Sequence, residues 1–473
     1  MVSEYDLVAI GAGPAGYAGA IRAAQLGMKT AVVEADRVGG ICLNWGCIPT
    51  KAILHCAEAY ELARATAGRA DCGVRSEAIG FDFGAVIEKS RQAADRVGRG
   101  VEALFRRNKI DLIQGRGCLA DRQTVVVTGP AGGEAEQTIR ARRILLATGA
   151  QPQLLRGVEA DGERVLTSRH ALALREAPAS IVIVGAGPVG LEFAHIYATY
   201  GAKVTVVEME SQVLPGIDGE LARGLEKALA RKGIAFLTQT TCRGIEVAGT
   251  GVRALVASPT DEQRLEAERL LVAAGSTPNT EGLGLEALGI ATEKGFVRVG
   301  PGFRTTCETV WAAGDLIGPP LLAHAAMAEA VAAVEAMAGR GDGTVRYEMI
   351  PACVYCQPEL ATIGLSEQRA RAEHANVGVA RLSFAANGKA VAVGQTDGFV
   401  KLVFDTKSGA IFGCHILGYG ATEMVNQIAM AMSADLTVEQ LARAIYAHPT
   451  ASEIIGETAL AALGQSGNSR GES

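Results

Sequence analysis

Residues 5–34 read YDLVAIGAGPAGYAGAIRAAQLGMKTAVVE, and residues 181–208 read IVIVGAGPVGLEFAHIYATYGAKVTVVE. Each stretch opens with an apolar strand-like run, turns through three spaced glycines, continues with helical periodicity and closes a second apolar run on a glutamate. The glycines are Gly11, Gly13 and Gly16 in the first copy and Gly185, Gly187 and Gly190 in the second, and Glu34 and Glu208 stand at the same offset from the last of them. Strand, tight turn, helix, strand and acid is the order of a dinucleotide site. Glycine lets the backbone approach a pyrophosphate at a helix start, and the carboxylate meets ribose hydroxyls. The duplication predicts an α/β chain with two Rossmann-like dinucleotide-binding domains, and electron transfer between two dinucleotides more than a simple dehydrogenase. Glu208 favours the 2′-hydroxyl of NAD and repels the extra phosphate of NADP, and the following ESQVLPG holds no arginine to reverse that preference.

The 473 residues are 48% hydrophobic, with 58 glycines and 15 prolines, a globular composition with material for about three domains. A net charge of −6 gives no reason to expect nucleic acid, and Arg106-Arg107, beside an amphipathic segment, reads as a solvated face. The N-terminus, MVSEYDLVAI, enters a strand pattern at once and leaves no room for a secretion signal. The alanine-rich run 320–338 is interrupted by His324, Glu329 and Glu335, so a buried helix is expected there and no membrane span. Ten cysteines in this length suit a reducing, cytoplasmic compartment with one active disulfide.

Cys42 and Cys47 stand in GGICLNWGCIPTK, residues 39–51, a run expected to start as a loop and enter a helix that includes Cys47 and Lys51. One helical turn of separation permits a disulfide, and a thiolate near a helix start and a lysine would have a depressed pKa suited to thiol exchange. Two unrelated thiols fit the spacing equally well, whereas a metal site lacks its second pair of ligands. Residues 52–112 read as largely helical, with Cys56 and Cys72 as packing residues. Strand-like pieces near 112–128 and a polar turn around 129–136 lead into RRILLATGA, which sets Thr148 and Gly149 where the chain can return beside a cofactor.

LLVAAGSTPNT, residues 270–280, repeats that return with Gly275. TVWAAGD then brings a strand to Asp315, whose carboxylate can bond sugar or ribityl hydroxyls or cap a helix. From about residue 347, strand pieces that include GFVKLVF and IFGCHIL, then helices from about 420, predict a further α/β unit. Its end, YAHPTASE, sets His448 five residues before Glu453. A carboxylate can fix an imidazole tautomer and raise its basicity; a surface histidine beside a helix-capping threonine fits the same residues. Cys353 and Cys356 in CVYC would face opposite ways on a strand, a poor arrangement for a disulfide, and no nearby pair completes a zinc site.

In their joint order, GAGPAG, GGICLNWGCIPTK, LLATGA, GAGPVGLE, AAGD and AHPTASE, supported by PELATIGLSE, resemble the flavin disulfide oxidoreductases over about residues 3–460, and within them the branch that oxidises dihydrolipoamide. The resemblance implies an FAD-binding domain over 1–150 with a redox disulfide, an NAD-binding domain over 151–275, a central FAD-contacting domain over 276–346, a C-terminal α+β dimerisation domain over 347–463 and a flexible tail over 464–473. It implies that Cys42 is the exchange cysteine facing the lipoyl substrate, that Cys47 faces the flavin, and that Lys51 lies near the flavin and pairs with Glu192. Asp315 is implied to hold the ribityl chain, and His324 and Met327 to line the isoalloxazine. His448, oriented by Glu453, is implied to reach the cysteines of the other subunit of a homodimer, with a cis bond to Pro449.

The implied cofactors are FAD and NAD, with no metal. Electrons pass from dihydrolipoamide, on a lipoyl-bearing protein of a 2-oxo-acid dehydrogenase or glycine-cleavage complex, through the Cys42–Cys47 disulfide and FAD to NAD+. Glutathione reductase and other small-disulfide reductases run the same chemistry in reverse; Glu208 and the lack of an arginine-rich approach for an anionic peptide argue against them. No paired-cysteine tail points to mercuric reductase. Tyr446 and Ala451 replace a histidine and a leucine common in such proteins, which bears on substrate preference or local packing before the reaction.

Overall fold

In the computed structural model, which describes residues 3–67, 73–74, 78–129 and 135–465, the first glycine turn follows a central strand of a mixed sheet. Strand Ser3–Ile10 runs parallel to Thr30–Glu34 on one side and to Ala135–Leu146 on the other, with Val8 opposite Ala31 and Ile144. Strands covered on both faces need apolar residues throughout, and all of Thr30–Glu34 is buried. Asp111–Gln114 extends the sheet in parallel, and an antiparallel ribbon of Arg116–Asp121 and Thr124–Thr128 joins its far side. Val310–Ala312 pairs with Ala135–Leu146 too, so the chain returns to the first sheet after residue 276. Helix Ala323–Met337 then packs on helix Pro14–Gln25 through small residues that include Ala20, Ala23, Ala330 and Ala333. Among the described residues no helix is long and apolar enough to cross a membrane.

The second glycine turn belongs to a five-stranded parallel sheet in the order Ala235–Leu237, Lys203–Val207, Ser180–Val184, Arg269–Val272 and Val165–Leu166. An antiparallel sheet of Thr241–Ala248, Gly251–Ala257 and Glu262–Ala267 precedes the return strand. Outgoing and returning chain meet where Ala150–Pro152 lies antiparallel to Ser276–Pro278. The C-terminal unit is a five-stranded antiparallel sheet in the order Ala352–Val354, Leu360–Gly364, Ile411–Leu417, Phe399–Asp405 and Val377–Ser383. Helices Ala421–Ser433 and Glu453–Ala462 pack on it, bringing Met424, Ile428 and Ile454 into one core with Val400, Leu402 and Ile416.

Local structure departs from the sequence reading in two places and divides a stretch read as largely helical in a third. The inter-cysteine stretch is a short helix, Gly40–Trp45, and not a loop; Gly46, at φ −154 and ψ −109, interrupts it before helix Cys47–Thr66 begins. The helical stretch after residue 52 is two helices, Cys47–Thr66 and Phe83–Arg107. Helices Glu367–Glu373 and Gly388–Val393 fall inside the segment read as strands, each started by a side chain that accepts from its own first turn, Ser366 and Asn387. Cys72, most of the turn at 129–136 and the tail from 466 lie outside the described residues. Cys353 sits on strand Ala352–Val354 and Cys356 beyond it; both are free thiols.

A buried charge network joins the second unit to the C-terminal sheet. Lys401 Nζ reaches Glu367 Oε2 at 2.7 Å, Asp218 Oδ2 at 3.1 Å and Glu220 Oε2 at 3.3 Å, with Lys401 only 4% and Asp218 0% exposed in the side chain. Removing Lys401 leaves the Asp218 carboxylate buried without its cation. Lys401→Met is therefore expected to destabilise the chain by about 3–5 kcal/mol, read as a lower urea midpoint.

Candidate active site

The disulfide forms at a break between helices. Cys42 and Cys47 are bonded to each other, with Cα atoms 4.7 Å apart across Gly46. Cys42 lies on Gly40–Trp45 and Cys47 is the first residue of Cys47–Thr66, so its sulfur stands at a helix N-terminus, where backbone N–H groups favour a thiolate. One turn further on, Lys51 Nζ meets Glu192 Oε2 at 2.7 Å and Oε1 at 2.9 Å. Glu192 is 3% exposed and comes from the helix after the second glycine turn, so this pair ties the disulfide segment to the second unit. The Tyr355 backbone N–H donates to Glu192 Oε1 at 3.1 Å, and the Tyr355 ring lies 4.4 Å from Lys51 Nζ.

Both glycine turns are cradles that a side chain would fill. Gly11 and Gly185 adopt φ of +101 and +108, and a Cβ on Gly16 or Gly190 would lie 1.8 or 2.0 Å from the carbonyl oxygen of Gly11 or Gly185. The acids repeat as closely. Glu34 accepts from Ala12 N at 2.7 Å and Asp36 N at 2.8 Å, and Glu208 accepts from Ala186 N at 2.7 Å and Glu210 N at 2.9 Å. Each carboxylate is thereby fixed against its turn. Burial pushes the Glu34 carboxyl above its ordinary range, against the pull of its backbone donors. Gly13 and Gly187 meet nothing closer than 3.8 Å on the Cβ side, which leaves each turn open to a ligand. These features fit dinucleotides at both turns.

The two returns interlock. Thr148 Oγ1 donates to Asn279 O at 2.8 Å, Asn279 Nδ2 donates to Thr148 O at 2.9 Å, and Asn279 N bonds Gly149 O at 2.9 Å. Gly275, at φ +116, accepts from Gln153 N at 2.9 Å at the same crossing. Asp315 lies in the turn Gly314–Leu316, and burial raises its carboxyl. Beside it, buried Glu329 accepts from Gly314 N at 2.7 Å and from the Tyr347 hydroxyl at 2.9 Å. The same helix carries His324, whose Nε2 is 2.7 Å from Pro351 O, and Met327, whose sulfur meets the Tyr17 hydroxyl at 3.4 Å.

His448 sits elsewhere in the chain. Its Nδ1 is 2.9 Å from Glu453 Oε1, and Glu453 Oε2 accepts from Thr450 N at 2.8 Å. The Thr450 N–H, and then the imidazole, hold the Glu453 carboxyl below its usual range, so it is an anion at neutral pH. The His448 side chain is 78% exposed, and neighbouring Ile445 is fully so. No hydrogen bond or ion pair among the described residues joins His448 to the Cys42–Cys47 segment of its own chain. The His448–Pro449 bond is cis.

Residues 5–330 match the pyridine nucleotide-disulphide oxidoreductase family, and residues 350–459 match that family's dimerisation domain. The chain belongs to this family. Curated relatives of this oxidoreductase include dihydrolipoyl dehydrogenase of Chlorobaculum parvum, 41% identical with 98% of each chain covered, and that of Bacillus subtilis, 38% identical over 98% of this chain and 99% of the relative. Among solved structures, LpdA of Mycobacterium tuberculosis superposes with a TM-score of 0.89 at 28% identity, covering 97% of this chain and 99% of that one. The HOCl-induced flavoprotein disulfide reductase RclA of Escherichia coli has a TM-score of 0.83 at 27% identity, covering 96% and 99%.

The oxidoreductase thus brings Cys42, Cys47, Lys51 and Glu192 into one cluster, sets Glu34 and Glu208 against their turns and keeps His448 with Glu453 apart from them. Tyr355, Glu329 and Tyr347 are participants that the sequence reading did not name as site residues. Glu329 carried a signal, as a carboxylate inside an alanine-rich run. Tyr355 carried none, because only the packing of the C-terminal unit brings its backbone to Glu192.

Proposed function

We propose that this oxidoreductase is a dihydrolipoyl dehydrogenase that oxidises protein-bound dihydrolipoamide and reduces NAD+, as a homodimer in the cytoplasm. The observation that carries the reading is the Cys42–Cys47 disulfide with Lys51 and Glu192 behind it, in a chain that is similar to dihydrolipoyl dehydrogenases from end to end. The turn at Gly11, Gly13 and Gly16, with Glu34, Thr148, Gly149, Asp315, His324 and Met327, would hold FAD. The turn at Gly185, Gly187 and Gly190, with Glu208 and Gly275, would hold NAD. When bound, FAD supplies the two-electron relay between the dithiol and nicotinamide halves of the reaction.

The chain's own residues perform the thiol chemistry. One substrate thiol gives its proton to His448 and attacks Cys42, forming a mixed disulfide as the Cys42–Cys47 bond breaks and Cys47 leaves as a thiolate. The second substrate thiol then attacks the sulfur of its partner, which closes the oxidised substrate ring and returns Cys42 as a thiol. Glu453 holds the imidazole by Nδ1 and balances the charge it gains, leaving Nε2 for the proton. Exposed on its own chain, His448 acts on the disulfide of the partner subunit. Lys51, ion-paired with Glu192 one helical turn beyond Cys47, would place its ammonium toward the thiolate that Cys47 forms.

Anaerobic mixing with dihydrolipoamide is the direct test. Bleaching of the flavin absorbance that NAD+ reverses is expected, and no bleaching in the assembled holoenzyme would sink the reading. Nucleotide choice tests Glu208 separately. Glu208→Gln is expected to cut the preference for NAD over NADP by about tenfold or more, the worth of a charged hydrogen-bonding group, in parallel kcat/KM measurements.

A further inference from the structure

Trp45, between the two cysteines, is gripped from outside the disulfide segment. The Arg91 guanidinium, from helix Phe83–Arg107, lies 4.7 Å from the Trp45 ring, and that of Arg169, from the second unit, lies 4.2 Å from it. Arg169 is anchored in turn by Asp36 at 3.2 Å. Arg91 Nη1 donates to Asn44 O at 2.6 Å. That carbonyl lies in the last turn of helix Gly40–Trp45, whose final carbonyls have no partner within the helix, so the arginine satisfies the C-terminal end of the segment that carries Cys42. From within, buried Asn44 holds the same segment through Nδ2 bonds to Val38 O and Gly40 O, both 3.0 Å.

The grip is costly for the fold. Arg91 Nε and Nη2 and Trp45 Nε1 are buried without a hydrogen-bond partner among the described residues, and among these residues the Asp95 charge acts on Arg91 only from beyond ion-pair distance. Burial pulls the Arg91 guanidinium below its ordinary range, which is the sign of that cost. Arg91 is half-buried, and because its enclosed Nε and Nη2 atoms have no acceptor among the described residues, an apolar side chain of like volume in its place costs the fold little. What Arg91 contributes is therefore sought in the disulfide, not in the stability of the fold.

We propose that Arg91 and Trp45 are positioning residues for the redox pair: together they clamp helix Gly40–Trp45 so that Cys42 and Cys47 stay at ring-closing distance when reduced. This rests on the reading of Cys42–Cys47 as the redox-active pair. An intramolecular disulfide forms in proportion to the effective concentration of one thiol at the other, and a segment free to shift at Gly46 lowers that concentration. The sign separates the clamp from a charge effect. A loosened clamp makes the disulfide easier to reduce, whereas loss of a positive charge near a nascent thiolate makes it harder.

The test equilibrates the anaerobic holoenzyme dimer with dithiothreitol buffers of graded oxidised-to-reduced ratio, quenches with acid and counts alkylated Cys42 and Cys47 by mass. Arg91→Met is expected to move the half-reduction point roughly tenfold toward less reducing buffer, the order a charge-assisted hydrogen bond carries. Its thermal midpoint is expected to equal or exceed that of the wild type. Arg91→Lys, which keeps the charge and one donor, should shift less, and Arg96→Met, exposed on the same helix, should not shift at all. Trp45→Leu, which removes the ring but leaves Arg91, should shift in the same direction as Arg91→Met. Wild-type titration by both Arg91→Met and Trp45→Leu, or a shift toward more reducing buffer, overturns the clamp. A wild-type pair that fails to titrate overturns the redox assignment instead.

Discussion

Cys42→Ser is expected to abolish dihydrolipoamide oxidation while leaving the flavin bound and NADH-driven reduction of an artificial dye intact. The serine hydroxyl is nearly isosteric with the thiol but cannot form the mixed disulfide, so the dithiol half-reaction has no entry point. Helix Gly40–Trp45 is held by Asn44 and Arg91 and not by the sulfur alone, so its position should survive. The cradle at Gly11 and Gly16 is built from backbone and is untouched. Steady-state turnover with dihydrolipoamide, dye reduction with NADH and the flavin-to-protein absorbance ratio together check the result. Loss of flavin, or residual turnover above a few per cent of the wild type, would count against the assignment.

His448→Gln should slow the dithiol half-reaction by about 10²–10⁴-fold, the usual contribution of a positioned general base. Glutamine keeps a polar side chain beside Glu453 yet accepts no proton from a thiol. Hydride exchange with NADH depends on the opposite end of the electron path and should stay within a few-fold of the wild type. Stopped-flow reduction by dihydrolipoamide against reduction by NADH separates the two halves. Mixing subunits adds a second readout. A random mixture of Cys42→Ser and His448→Gln chains should recover about a quarter of the wild-type activity, because half of the dimers are hybrids and each hybrid has one intact site composed across the subunits. If His448 served its own chain, no hybrid would be active.

Much of this site was legible in the sequence because its parts are local. Each glycine turn needs only a strand, three glycines and a helix start in succession, and each acid follows on the next strand, so Glu34 and Glu208 could be named from spacing. The two returns were legible as a repeat for the same reason, although not the bonds between Thr148 and Asn279 that lock them. Less was legible where short-range signals compete. The stretch from Gly39 to Cys47 contains three glycines and read as a loop, yet Gly40–Trp45 is helical because Leu43 and Asn44 are buried and held by neighbouring elements. The start of Glu367–Glu373 carried a serine cap and that of Gly388–Val393 an asparagine cap, but both helices are too short to show a full hydrophobic period.

By itself the sequence determined the duplication, the acid that closes each copy and the presence of a thiol pair, because each is written in residues close together along the chain. The tertiary structure alone decided which side chains meet. It set Lys51 against Glu192 from 141 positions away, put the Tyr355 backbone on the same carboxylate, stacked two arginines on Trp45 and left His448 exposed with Glu453. Those contacts depend on how two sheets and a C-terminal unit pack, and packing is selected by the summed burial of many apolar residues, which no short motif records.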